Sequence, residues 1–584
     1  MNVCSREVLV LLSVFPNLFT LKEAQHIAKG SKIDELQLQK GFQSLRKFCF
    51  LNTYDVKSET YVLHPAIRSF GISKARQEKE LEKVFEPARC RYIFYTFDIL
   101  SEIEEEFFST RSMHAIQNYR LQDENIREIA RWCITDSRMD VNVKQFCIQS
   151  FIRSQFVLLK LMRSYLLKMI LLEFAQISQK NGDKKLYCEC QTLRGAKIVF
   201  GCLCTPYLCP TALEEANVCF CKVIKALVEE DGKGYQETGE KIDHVYESNV
   251  ISDKAKAQFL LKYGKCLVRL GYNEQGFDSI EKGIDVRGSK VLSDTKYRVM
   301  LAMGFEDLAG AYSTKREHVN AISIREKHVL PTFRKELGMH PFTATAHSQL
   351  ARNYLELGDY AKAIEANEIA LRYRKTLLGD HQDTARSVFD KGVILSQQAQ
   401  AEADPSNTTS FFKEALSYLQ EALEIQKRSL DTPEETALTY QELAFVLTQL
   451  GRRKEAEQQM HMITKCLEEK KTTQDNLPRF PKSTSQEDDV MGSTEIKQEP
   501  ITPIPNEGSS TGSDISAQVN KTWFTNAKEF IKKMLGLSQV IRLMTFLLDM
   551  KISLWIISMR CLLRFGRTYQ SNETFYSCNN CYKS

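Results

Sequence analysis

The sequence predicts a mainly α protein, and three observations carry that prediction. The 584 residues include only 14 Pro and 26 Gly, where average usage would supply about 29 and 41. So few turn-forming residues argue against a sheet-rich architecture. Apolar residues recur mostly at helical spacing, with little strand-like alternation. From about residue 250 to 470, a pattern of paired helices repeats. A chain of this length exceeds one hydrophobic core and should divide into about three or four units.

Composition narrows the class further. Hydrophobic residues make up 43% and charged residues 26%, ordinary values for a globular protein. The net charge of +5, from 79 basic and 74 acidic residues, creates no field that points to nucleic acid. The 17 Cys are an odd number. The opening run MNVCSREVLVLLSVFP lacks a basic n-region and a clean apolar h-region, so reduced thiols and a cytoplasmic location are expected.

Residues 1–72 read as the first unit. Val8, Leu9, Leu11, Leu12, Val14 and Phe15 form an apolar helical stripe that ends at Phe15-Pro16-Asn17. Thr20 and Glu23 stand in capping-box spacing ahead of a second helix bearing Ala24, Ile27 and Ala28. A third helix, over about 33–47, carries Leu36, Leu38, Phe42 and Leu45. Cys49-Phe50-Leu51 and Tyr61-Val62-Leu63 flank a polar tip, 52–60, and predict a hairpin. His64-Pro65 closes the unit and opens another helix. Three helices and a hairpin describe a winged helix.

The runs LSVFPNLFTLKEAQHIA, FQSLRKFCFL and YVLHPAIRSF resemble the winged helix that follows the nucleotide-binding core in STAND-type ATPases of the NB-ARC and NACHT class. The resemblance covers about seventy residues. It implies a domain that packs on an ATPase core and helps to gate nucleotide exchange.

Residues 73–250 read as a helical linker with degenerate helical repeats, similar to the segment before the repeats in STAND proteins that end in tetratricopeptide repeats. The apolar stretch 155–177 is interrupted by Lys160, Arg163, Lys168 and Glu173, too many charges for a membrane span. It predicts one buried or groove-forming amphipathic helix.

Residues 251–470 carry the strongest signal. In 344–377, Ala351, Ala363 and Ala370 supply small residues where two helices cross, and Gly358 supplies the turn between them. The same frame fits the glycines 264, 271, 276 and 283. It also fits Leu308-Ala309 with Ala321, Gly392 with Ala415 and Ala422, and Leu443-Ala444 with Ala456. These are tetratricopeptide features. Leu337-Gly338-Met339-His340-Pro341 and Leu378-Gly379-Asp380-His381-Gln382 recur 41 residues apart, each followed by Thr-Ala. This joint resembles the kinesin-light-chain type of repeat, a variant shared with nephrocystin-3-like and other STAND proteins. Helix pairs of this kind stack into a superhelix with a concave groove suited to peptides or partner helices.

Residues 471–522 are polar and Pro-containing, a composition expected to stay disordered. Ile496-Lys497-Gln498-Glu499 resembles a SUMO acceptor centred on Lys497. Residues 523–584 turn apolar again, as an amphipathic docking helix or a non-native tail.

Candidate chemistry is sparse. Phosphate binding needs G-x-x-x-x-G-K-[ST], and the nearest string, Gly234 to Lys241, puts Glu240 where the lysine must stand. The chain therefore resembles only the C-terminal half of a STAND protein, without the ATPase core. Cys188, Cys190, Cys202, Cys204, Cys209, Cys219 and Cys221 crowd together. Their spacers and the absence of His favour buried thiols over zinc. Cys578 and Cys581 form a lone C-x-x-C.

The expected function is a non-enzymatic scaffold, with no catalytic, cofactor or metal residue assigned. A protein or peptide partner would lie against Lys265, Arg269, Glu306, Ser348, Arg352 and Gln441 on the inner helices. No cofactor, small-molecule substrate, nucleic acid or membrane is expected as a partner. By resemblance the setting is STAND-type signalling in innate immunity or cell death. The competing readings are a STAND ATPase fragment whose core lies upstream, a kinesin-light-chain-like cargo adaptor, and a winged-helix DNA-binding regulator.

Overall fold

Thr20 and Glu23 form the expected capping box at the start of the second helix. The Glu23 carboxylate accepts the Thr20 amide at 2.7 Å, and the Thr20 hydroxyl accepts the Glu23 amide at 3.2 Å. A second box, Asp34 with Gln37, opens the third helix. The computed structural model describes residues 3–55, 60–201, 210–228, 241–288, 294–429 and 433–475, all within one compact unit. Cys202, Cys204, Cys209, Gly234 to Glu240, Lys497, the expected disordered segment and apolar tail beyond 475, and the Cys578–Cys581 pair lie outside the described residues.

The first unit runs α1 (Val3–Leu12), β1 (Phe19–Thr20), α2 (Leu21–Ala28), α3 (Glu35–Lys47), β2 (Leu51–Asp55), β3 (Thr60–Leu63) and α4 (Pro65–Gln77). The strands form an antiparallel sheet in the order β1-β3-β2. Three helices and a hairpin therefore stand in the predicted order. Two details differ. Leu36 is 58% exposed, off the apolar face of α3. The first hairpin strand starts at Leu51, because Cys49 takes a positive φ of 57° and turns the chain out of extended geometry. Phe19 anchors the core, stacked on Phe15 with ring centroids 4.3 Å apart.

The linker consists of α5 (Lys79–Phe107), α6 (Ser112–Thr135), α7 (Val141–Arg153), α8 (Gln155–Leu161), α9 (Ser164–Lys180), α10 (Lys184–Gly201), α11 (Pro210–Val228) and α12 (Lys241–Glu247). The single helix expected over 155–177 is two. Met162 and Arg163 are extended, with ψ near 139° and 135°. Lys197 on α10 stabilises that break by donating to the freed carbonyls of Leu159 and Met162 at 2.6 and 3.2 Å.

Antiparallel helix pairs follow, stacked as a tetratricopeptide-like superhelix. They are α13 (Asp253–Arg269) with α14 (Asn273–Gly288), and α15 (Thr295–Thr314) with α16 (His318–Ile324). Arg325–Val329 forms a π turn that joins α16 to α17 (Leu330–Glu336). Then come α18 (Pro341–Glu356) with α19 (Tyr360–Leu378), α20 (Gln382–Ala401) with α21 (Pro405–Ser429), and α22 (Pro433–Gln449) with α23 (Arg453–Asp475). Ala351, Ala363 and Ala370 are fully buried at the predicted crossing. In the first pair, glycines replace them: a Cβ on Gly264 would lie 2.5 Å from the Gly276 carbonyl oxygen.

Both predicted joints share one geometry. Gly338 and Gly379 adopt φ of 62° and 61°, the left-handed region that only glycine enters without strain. His340 and His381 then serve as N-caps, accepting the amides of Phe342 and Asp383 at 2.9 and 3.1 Å.

Candidate functional site

The inner helices α13, α15, α18, α20 and α22 are joined by charged and polar side chains that cross from one repeat to the next. On α15, Asp307 accepts from Lys262 at 2.6 Å and from Lys265 at 3.1 Å, both on α13. Between α18 and α20, Asp390 accepts from Arg352 at 2.7 Å and from the Ser348 hydroxyl at 3.3 Å. Arg386 on α20 pairs with Glu435 on α22. The Lys265–Asp307 and Ser348–Asp390 pairs each join residues 42 apart, one repeat along the chain.

Two buried arginines brace this row from behind. Arg325, wholly buried in the π turn, forks onto the Glu306 carboxylate at 2.9–3.1 Å. Arg374 on α19 donates to the Ser387 hydroxyl at 2.7 Å and the Asp383 carbonyl at 3.0 Å.

Electrostatics follow from burial. Burial alone would raise the Asp307 pKa, but Lys262 and Lys265 override it and hold the carboxyl down at about 2. Burial pushes Lys265 down to about 8, partly offset by Asp307. Both groups stay charged at neutral pH, and the pair is a fixed strut.

The linker lies against the first turns of α18 and α20 in the same row. Lys160 of α8 pairs with Asp383 and reaches Thr345 at 3.3 Å. Glu104 of α5 positions that helix by accepting the Val157 amide at 2.9 Å and the Phe156 amide at 3.4 Å. Around it, Phe107, Phe108, Phe156 and Phe342 interlock edge to face, with Phe107 and Phe342 centroids 5.5 Å apart. Arg120 of α6 donates to the Leu378 carbonyl at the end of α19, at 2.7 Å.

The six residues assigned to a partner thus fall into different environments. Lys265 and Ser348 are 6% and 0% exposed and are committed to Asp307 and Asp390. They are struts between repeats, where open contact positions were expected. Arg269 donates to the Val199 carbonyl of α10 at 3.2 Å. Glu306 and Arg352 are partly exposed and ion-paired. Gln441 is exposed on α22. Sequence reading missed Lys160, Asp307, Asp390 and Arg325. A signal for two existed: opposite or hydrogen-bonding partners one repeat length apart.

Among the described residues no cluster of His, Cys, Asp or Glu is arranged to hold a metal, and no helix is long and apolar enough to cross a membrane. Cys188, Cys190 and Cys219 are buried and Cys221 is half-buried, none of them in a disulfide. Burial raises the pKa of Cys190 and Cys219, which disfavours the reactive thiolate.

No family model matches the chain, and no curated protein matches it. Solved structures do. A STAND protein with a tetratricopeptide repeat sensor from Pyrococcus horikoshii is 14% identical with a TM-score of 0.36, over 81% of this chain and 64% of that one. BtubC (BKLC) from P. vanneervenii is 14% identical with a TM-score of 0.34, over 51% of this chain and 99% of that one. A Rap protein complexed with competence and sporulation factor is 13% identical with a TM-score of 0.32, over 65% and 98%.

Proposed function

We propose that the chain is a non-enzymatic scaffold that holds a partner peptide or helix against the inner helices of its repeats. The supporting observation is the cross-repeat row itself. Arg352 is fixed by two of its nitrogens to Asp390, and Glu306 by the fork of Arg325, yet both keep part of their surface exposed. Side chains held in this way lose little entropy on binding, which favours recognition. The exposed Gln441 of α22 belongs to the same face, whereas the first turns of α18 and α20 are already occupied by Lys160 of α8 at Thr345 and Asp383. The proposed setting is cytoplasmic STAND-type signalling, in innate immunity or cell death. There the first unit would act as a winged helix that packs against a nucleotide-binding core.

The test is a peptide-display selection against the full chain, followed by affinity measurements on two variants. Gln441→Trp should fill the inner face and weaken the selected peptides at least about tenfold, while Glu457→Trp on α23 leaves them unchanged. Equal binding to both variants, or no enriched peptide, rejects the reading.

A further inference from the structure

The net charge of +5 is small for the whole chain, but it is not spread evenly. Residues 1–77 hold eleven basic and six acidic side chains, so the first unit alone carries +5 and the rest of the chain nets to zero. Three of the six acids are already used inside the unit. Glu23 and Asp34 cap α2 and α3, and Glu35 accepts the Gln25 side-chain amide at 2.8 Å.

The surplus gathers on α3. Leu38, Gly41, Phe42 and Leu45 are its buried side, packed toward α1, α2 and β2. The opposite side presents Gln39, Lys40, Gln43, Arg46 and Lys47, all exposed, with Leu36 as its one apolar member. At about 100° per residue, Gln39 and Gln43 fall near the middle of this face, with Lys40 and Lys47 on one flank and Arg46 on the other. Residues 36–47 contain no Asp or Glu. Among the described residues, no carboxylate pairs with Lys40, Arg46 or Lys47.

The residue types on the face select its partner. Lysine is depleted at protein interfaces, and their cores are apolar, so two lysines and a single leucine fit a protein surface poorly. Two flanks of cations fit phosphates, and amide side chains between them can pair with the N6 and N7 edge of adenine. The major groove of B-form DNA admits an α-helix, while that of A-form RNA is too narrow.

We propose that the outer face of α3 docks in the major groove of duplex DNA, with Lys40, Arg46 and Lys47 on phosphates and Gln39 and Gln43 toward the bases. The composition gave no reason to expect nucleic acid, because it averages this face over the whole chain. The face belongs to the first unit and not to the repeats, so this reading and the proposed scaffold can fail separately.

The experiment is a fluorescence-anisotropy titration of the full chain into a labelled DNA duplex of mixed sequence, an RNA duplex of equal length and polyglutamate. Wild type should bind the DNA most tightly, and added salt should weaken that binding. The double variant Lys40→Ala, Lys47→Ala, changed only at exposed positions to the strongest helix former and checked for native helicity, should bind DNA at least about tenfold more weakly, with a salt slope smaller by about 2. Arg453→Ala, Lys454→Ala on α23 removes the same charge elsewhere and should bind as wild type does. Tighter binding of polyglutamate would identify an acidic protein as the partner and reject DNA. Equal affinity for the RNA duplex, equal affinity of wild type and the α3 variant, or no binding of DNA also overturns the proposal.

Discussion

The imidazole of His340 donates from Nε2 to the carbonyl oxygen of Phe107 over 2.7 Å, joining residues 233 apart in sequence. Its Nδ1 accepts the Phe342 amide, so the ring is neutral with its proton on Nε2. One side chain therefore caps α18 and fastens the linker to the repeats. Replacing it separates these roles. His340→Ala loses both and should destabilise the chain by roughly 2–4 kcal/mol. His340→Asn keeps a capping acceptor but is too short for Phe107, and should lose about half as much. Urea unfolding of the two variants measures the difference, and equal losses would count against the dual role.

Acid should weaken the fold through the same ring. Burial lowers His340 to about 3 and His347 to about 4, from an ordinary 6.5. The unfolded chain therefore binds more protons than the folded one between these values. Stability from these rings is whole above about pH 6.5 and drains away as pH falls toward 4 and then 3. The denaturation midpoint should drop between pH 7.5 and 5, and His340→Asn should show a shallower fall. A parallel pH profile in that variant would exclude His340 as a contributor.

Asp307 holds two lysines, and its removal should be felt more than its exchange. Asp307→Ala leaves Lys265 buried and uncompensated, with an expected loss of about 3–5 kcal/mol. The double variant Lys265→Met, Asp307→Leu removes the need for the pair and should recover most of that loss. A double-mutant cycle by chemical denaturation tests this, and additive losses would deny the coupling.

Helix spacing in the first pair depends on Gly264. A methyl there would meet the Gly276 oxygen at 2.5 Å and the Ile280 nitrogen at 3.0 Å. Backbone cannot yield as a side chain can, so Gly264→Ala should cost about 1–3 kcal/mol. Gly288, with nothing within 4 Å of its would-be Cβ, should gain up to about 1 kcal/mol on the same change. Thermal unfolding of both variants checks the contrast in sign.

Local rules were legible in the sequence, and encounters between distant segments were not. The Thr20–Glu23 box, the buried alanines 351, 363 and 370, and the two joints all depend on neighbours within a few residues or one repeat. Lys160 gave no such sign. Its partner Asp383 lies 223 residues away, and nothing in periodicity says which helix will lie across which. The α8–α9 break escaped notice for the same reason, since Lys197 of another helix satisfies it. Lys265 and Ser348 were placed on the inner helices, but their burial depended on acids one repeat later.

The two joints that hold the linker belong to consecutive repeats, Phe107 clasping one and Arg120 the end of the helix before the next. Duplicating a repeat between them would carry one clasp out of reach of the other, while copies added after α23 would disturb neither. The array is thus pinned in its interior, so a change in repeat number is tolerated outside the span between the two clasps and not within it.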